Sequence, residues 1–328
     1  MTRSLITGIT GQDGGYLTER LLADGIEVHG MVHATDPAAG DFRARHPDVA
    51  LHTGDLADHA GIAELVAEVA PDELYNLAGI SSVAFSWAEP VLTAELSGVA
   101  AAVLMRAALE VQESTGRRVA VVQASSAEIF GQAESTPQDE TTPIRPVSPY
   151  GAAKAYAHHM ARVYRGHGAH VACCILFNHE SPRRPEAFVT RKITAGVARI
   201  ARDGEGTLRL GNLDARRDWG WAPDYVDAMV RAARHHVADD FVVATGESHS
   251  VADFVRAAFA SVGVTAWERY VEVDPAFVRP VDAALQVGDA AKARRELGWA
   301  PTVSFEEMVA RMVDHDVRLL AAAGGAAG

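Results

Sequence analysis

Lysine is almost missing from this chain: of its 30 basic side chains only Lys154, Lys192 and Lys292 are lysines, and the rest are arginines. A lysine at a chemically suggestive spacing therefore stands out, because a guanidinium cannot replace a compact ammonium. Cysteine is scarcer still. The only two, Cys173 and Cys174, are adjacent in an apolar run, where successive side chains point to opposite faces. That excludes a disulfide-stapled scaffold and fits a reducing cytoplasm. Positive charge is also in deficit, with 43 acidic residues giving a net charge of −13, which argues against nucleic acid as a partner. Long apolar runs are absent, the longest, such as Val171 to Phe177, being strand-sized. Nothing reads as a membrane span or a signal peptide.

What the chain does have is 48% apolar residues over 328 positions, enough for a large core and more than one lobe. Strand-like runs at Leu5–Thr7, Val28–Val32, Ala50–His52, Leu74–Leu77, Val119–Ala124 and Val171–Phe177 alternate with helical patterns such as Ile62, Leu65, Val66 and Val69. The alternation predicts an α/β fold with a doubly wound parallel sheet of the Rossmann type and a smaller, interleaved α/β substrate lobe. Residues 1–170 and 215–245 are assigned to the dinucleotide domain, and 171–214 and 246–320 to the lobe. The Ala/Gly tail, 321–328, is expected to be flexible. Gln132 to Val147, rich in Pro, Thr and Glu, reads as a loop over the site, and Ser148-Pro149 as the start of the next helix.

Two patterns carry chemistry. The first strand-like run leads into Gly8, Gly11 and Gly14 and then a helical pattern, the strand, turn and helix that lets backbone approach a pyrophosphate at a helix N-terminus. Gly8, Thr10, Gly11, Gln12 and Asp13 are the candidate contacts. The spacing is GxxGxxG rather than GxGxxG. Farther along, Tyr150 and Lys154 stand one helical turn apart, after Ser125-Ser126-Ala127-Glu128. A phenol needs a nearby cation to serve as a base at neutral pH, and Lys154 is placed to supply it. Asp55 and Leu56, after the third strand, are candidates for the adenine end. Leu77, Ala78, Gly79 and Ser81, after the fourth, are candidates for the nicotinamide end. The plainer alternatives are a helix cap for Asp55 and a turn for Gly79.

Together these patterns resemble the extended short-chain dehydrogenase/reductase group. Longer strings resemble one family within it, the GDP-mannose 4,6-dehydratases: Gly8-Ile9-Thr10-Gly11-Gln12-Asp13-Gly14, Asn178-His179-Glu180-Ser181-Pro182-Arg183-Arg184, Phe188 to Thr194, Gly211 to Asp214, Arg217-Asp218-Trp219-Gly220 and Arg279-Pro280. The likeness runs from Leu5 to about Val313. It implies Ser126 as the hydroxyl bonding the sugar, Glu128 as the acid/base carboxylate, Tyr150 as the phenolate, and Lys154 as the residue that holds the cofactor ribose and tunes the phenol. It also implies cofactor contacts from His179 and Arg184, and a GDP-sugar wall of Asn178, Val189, Lys192, Arg217 and Arg279. The competing readings are a capping Asn178, a salt-bridged Arg217 and a surface Arg279. No metal is implied.

The activity implied is conversion of GDP-mannose to GDP-4-keto-6-deoxymannose by internal hydride transfer and loss of water. A GDP-4-keto-6-deoxymannose reductase, a 4-epimerase or a dehydratase of a GDP-heptose would share the fold. A catalytically dead regulator would be expected to lose Tyr150 or Lys154. NADP is the cofactor the family implies, with NAD the alternative, because the family's Arg pair after the second strand is replaced by Val32-His33-Ala34-Thr35-Asp36 and the connection to Ala50 is short. The same shortening favours a homodimer over the family's tetramer. Ile80 and Phe130 are smaller departures from the family pattern.

Overall fold

A computed structural model describes residues 2–277 and 285–325. Seven strands form one parallel sheet: β1 (Arg3–Thr7), β2 (Glu27–Val32), β3 (Ala50–Thr53), β4 (Glu73–Asn76), β5 (Ala120–Ser126), β6 (His170–Leu176) and β7 (Asp240–Val243). Their spatial order is β7-β6-β5-β4-β1-β2-β3, so the expected doubly wound sheet is present. The six strand-like runs of the sequence match β1 to β6 to within two residues at each end. β7 had no such forecast, since Asp239 and Asp240 precede only a short Phe241-Val242-Val243 run.

Both faces of the sheet are covered, which explains why β4, β5 and β6 are buried along their whole length. Ile6, Tyr75, Val122, Cys174 and Phe241 pack on one face, and Leu5, Leu74, Val121, Val171 and Cys173 on the other. A third cluster, with Ile193, Trp219, Phe254, Phe305 and Met308, forms the core of the smaller lobe. Short strand pairs hold that lobe: Asn178–Glu180 runs parallel to Trp219–Trp221, and Arg216–Arg217 antiparallel to His249–Ser250.

The stretch Pro90–Thr115 is long and apolar enough to cross a membrane by length and composition alone. Here it is a core helix over its second half, with Ala100, Ala101, Leu104, Met105, Ala108 and Val111 buried against the sheet. At the far end of the chain, the helix Phe305–Gly325 continues into the expected tail. Alanine's helix propensity accounts for Ala321 to Ala323 staying helical. Residues 326–328 lie outside the described residues.

β1 hands the chain to β2 on one side, while β4 lies on its other side. A crevice at the carboxyl ends of such strands is where ligands bind in open α/β sheets.

Candidate active site

The glycine turn follows β1. Gly8 has φ +70°, and a Cβ there would lie 2.9 Å from the Ala78 nitrogen, so the turn packs directly on the chain leaving β4. A Cβ on Gly14 would meet the Gly8 carbonyl oxygen at 2.4 Å. These positions admit only glycine. Thr7 ties the two loops together: its Oγ1 donates to Asn76 Oδ1 at 2.8 Å and accepts from the Leu77 and Ala78 backbone N–H groups. The helix Gln12–Ala23 begins at Gly11 with no side-chain cap, leaving its first N–H groups without a side-chain acceptor. Gly79, at φ +138°, and the exposed Ser81 continue the edge beyond β4.

Asp13 joins this turn to the second lobe. Its carboxylate meets His179 Nε2 at 2.9 Å, and His179 Nδ1 faces the Phe177 carbonyl oxygen at 2.8 Å. Gln12 donates to the His179 carbonyl oxygen and accepts from Ser181 Oγ. Burial raises the Asp13 pKa, but the charge of and hydrogen bond from His179 outweigh it, so the net shift is downward. For His179 burial acts downward, and the Asp13 carboxylate outweighs it to give a net rise. The His179 ring also stacks on Tyr225 at 4.6 Å. Arg184 lies over the Phe188 ring and approaches Glu180 at 3.4 Å.

Tyr150 stands in the first turn of the helix Pro149–Gly166. Ser148 caps that helix by accepting from the Gly151 N–H at 3.0 Å, and Pro149 takes a first position where the missing N–H costs nothing. Ser86 Oγ accepts the Tyr150 backbone N–H at 3.2 Å. A Cβ on Gly151 would lie 2.5 Å from the Glu128 carbonyl oxygen, so glycine there brings the helix start against the turn carrying Glu128. Ser126, at the end of β5, lies beside the Tyr150 phenol and accepts the Glu128 backbone N–H. Ser126, Glu128 and Tyr150 are thus gathered at one point.

Burial pushes the Tyr150 phenol up to about 12, with the Ser126 hydrogen bond acting downward and the Glu128 charge upward. Burial also lowers the Lys154 ammonium to about 8. Lys154 Nζ donates to the Ala124 carbonyl oxygen at 2.9 Å and stands 5.9 Å from the centre of the Tyr150 ring. The charges weighing most on the phenol are those of Glu128, Arg184 and Asp13. Lys154 is not among the groups that weigh most on the phenol, and its ammonium donates to the β5 carbonyl instead.

One neighbour had no sequence signal. Gln286, buried just past the undescribed segment, donates to Glu128 Oε1 at 3.4 Å. Its backbone N–H donates to the Arg216 carbonyl oxygen at 3.2 Å, and two residues on, the chain is held by Asp218, which accepts the Gly246 and Gly288 N–H groups and both donors of Thr245. A lone Gln among apolar residues gave no reason to single it out.

The remaining candidates divide by place. Asn178 is half-buried on its short strand, Val189 is exposed at the start of the helix Val189–Asp203, and Lys192 lies one turn on with Nζ 3.6 Å from the Phe277 ring centre. Arg217 is buried and donates to the Arg216 carbonyl oxygen. Arg279 lies outside the described residues. At the other end, Leu56 is buried while Asp55 is exposed, bonding the Ala57 N–H and facing His33 at 3.6 Å.

A glycine cradle that no Cβ could share, free helix N–H groups and a phenol at the same sheet edge fit a nicotinamide dinucleotide. The fold and site are those of an extended short-chain dehydrogenase/reductase acting on a nucleotide sugar. The family model for GDP-mannose 4,6 dehydratase matches residues 5–312, and the chain belongs to that family. It is 44% identical to GDP-mannose 4,6 dehydratase 1 of Arabidopsis thaliana, covering 96% of this chain and 90% of that protein. It is 41% identical to GDP-mannose 4,6 dehydratase of Homo sapiens, covering 97% and 92%. Among solved structures, a dTDP-glucose 4,6-dehydratase of Streptomyces venezuelae with NAD bound superposes with a TM-score of 0.83 at 25% identity, covering 97% of each chain. The fold also recurs in the RMD protein of Pseudomonas aeruginosa complexed with NADPH, with a TM-score of 0.79 at 22% identity, covering 97% of this chain and 100% of that one.

Proposed function

We propose that this protein is a GDP-mannose 4,6-dehydratase that forms GDP-4-keto-6-deoxymannose and water. The observation that carries the reading is the convergence of Ser126, Glu128 and the buried Tyr150 phenol beside the glycine turn. The bound nicotinamide supplies a hydride acceptor and donor and, when oxidised, a positive charge. Gly8, Thr10, Gly11, Gln12 and Asp13 hold the pyrophosphate end. Asp55 and Leu56 lie toward the adenosine, and Leu77, Ala78, Gly79, Ser81, Lys154, His179 and Arg184 toward the nicotinamide half. NADP, the form the family implies, and NAD make equal use of these groups; they differ only at the adenosine ribose.

Tyr150 takes the proton of the C4 hydroxyl as that carbon loses hydride, with Ser126 fixing the hydroxyl. The resulting 4-ketone acidifies the C5 hydrogen. Glu128 removes that proton and gives it to the departing C6 hydroxyl, which leaves as water. C6 regains hydride and C5 a proton, so the sum is loss of one water. Asn178, Val189, Lys192, Arg217 and Arg279 hold the GDP-sugar, and these remote contacts position the hexose. The Asn178-His179-Glu180-Ser181-Pro182-Arg183-Arg184 string and the family match favour the dehydratase over a reductase or a 4-epimerase, which a carboxyl group at 128 does not separate.

The subunits pair through the apolar residues left exposed on Val83–Ala88, on the first turns of Pro90–Thr115 and on Pro149–Gly166: Phe85, Trp87, Val91, Val99, Tyr156 and Val163. The protein is a homodimer of the cytoplasm, a placement that the free, buried Cys173 and Cys174 support. Incubation with GDP-mannose and no added reductant, followed by mass analysis, tests the activity. Loss of one water is expected; unchanged sugar that reacts only as a 4-keto compound with added reductant would make this a reductase.

A further inference from the structure

The adenosine ribose of a dinucleotide held at the glycine turn lies toward the carboxyl ends of β2 and β3. In such folds an acidic residue there bonds the 2′-hydroxyl of NAD, whereas an arginine accommodates the 2′-phosphate of NADP. This corner is built from Thr10, His33, Asp36 and Asp55. Asp36 Oδ2 accepts the Thr10 hydroxyl at 2.6 Å, and Oδ1 accepts the Ala38 N–H at 2.9 Å. The carboxylate is thereby fixed on the glycine turn itself, although it stands four positions past the last residue of β2. His33 turns the other way, with Nδ1 2.8 Å from Thr35 Oγ1 and Nε2 3.6 Å from Asp55.

Arg45 and Arg183 line a cavity of about 220 Å³ with Thr10 and Gly11. Arg183 lies 3.9 Å over the Tyr16 ring and donates from Nη2 to Glu19 at 2.6 Å, while its buried Nη1, against Gly15, has no hydrogen-bond partner. Arg45 is exposed at the end of the helix Ala39–Arg45, beside Phe42. Neither has its guanidinium bonded at the Thr10–Asp36 contact. A dianionic 2′-phosphate at that contact would face a fixed carboxylate, while ribose hydroxyls would find acceptors in the same oxygens.

Building on the cofactor site of the proposed function, we propose that Asp36 selects NAD over NADP in this chain. The nucleotide extracted from freshly purified protein is identified by mass, and affinities for both forms are measured by calorimetry on the stripped enzyme and on Asp36→Asn. NAD in the extract is expected, with NAD bound at least about tenfold tighter than NADP. Asp36→Asn is expected to narrow that ratio several-fold by strengthening NADP, since only the charge is removed. NADP in the extract, equal affinities in the wild type, or an unchanged ratio in Asp36→Asn would overturn the assignment. An Arg45→Ala variant that weakens NADP alone would likewise overturn it and place the phosphate in the Arg45 cavity. Binding of neither form would instead sink the underlying cofactor site, and this inference with it.

Discussion

The roles proposed for Tyr150 and Glu128 differ within one small volume, and conservative changes separate them. Tyr150→Phe removes only the oxygen proposed to receive the C4 proton. Turnover of GDP-mannose should fall by at least about 100-fold while thermal stability stays near wild type, as the scale of general acid–base catalysis predicts. Near-normal turnover would mean another base. Glu128→Gln leaves Gln286 a hydrogen-bond partner but cannot accept the C5 proton. In a single turnover it should show the absorbance of the reduced cofactor building up with no 6-deoxy product. Full product formation by that variant would remove Glu128 from the elimination.

The pH profile follows from the same pair. With Tyr150 raised to about 12 and Lys154 lowered to about 8, both groups are protonated below pH 8, and above it the ammonium gives up its proton while the phenol keeps its own. The role proposed for Lys154 needs its charge, so kcat/KM should fall as pH rises through the region of 8. A profile rising across that region would contradict that role. Tyr150 and Lys154 were legible from their spacing and residue type, and Glu128 from the family resemblance. The direction of the Lys154 ammonium was not legible. It depends on the Ala124 carbonyl, which only the packing of the helix against β5 brings within reach.

At the scale of elements, β1, the glycine turn and the helix after it act as one device. Glycine at 14 is required because the Gly8 and Ile9 carbonyl oxygens occupy the space of a Cβ. Gly14→Ala should cost about 1–3 kcal/mol of stability, the range for overpacking, and weaken cofactor binding with it. Chemical denaturation with and without added nucleotide measures both. Wild-type stability and affinity would show that the turn relaxes freely. β1 to β6 were readable because buried parallel strands are apolar throughout. β7 was not, because Asp239 and Asp240 are taken up by Lys292 and Arg165, partners remote in sequence. Gln286 was hidden for a similar reason: Asp218 positions its segment from 68 residues away in the chain, counting from the residue numbers.

At the scale of the whole molecule, one group of exposed apolar residues, Phe85, Trp87, Val91, Val99, Tyr156 and Val163, lies on the helix carrying Tyr150 and the segments packed beside it. Val91 is 79% exposed and Trp87 53%, while Tyr156 and Val163 project from the same helix as Tyr150. Such a patch is expected to be covered by a second copy. The double variant Val91→Glu, Val163→Glu should shift the solution mass from dimer to monomer in light scattering. A monomeric wild type, or an unchanged mass in the variant, would leave that face without its assigned role.

The central claim is that one bound cofactor carries hydride from C4 to C6 of a single hexose. GDP-mannose labelled with deuterium at C4 tests it directly, with the position of the label in the product read by mass and NMR. The account predicts deuterium at C6, with hydrogen from solvent at C5 and no label in added free cofactor. Deuterium retained at C4, or lost to solvent or to the cofactor pool, would contradict it.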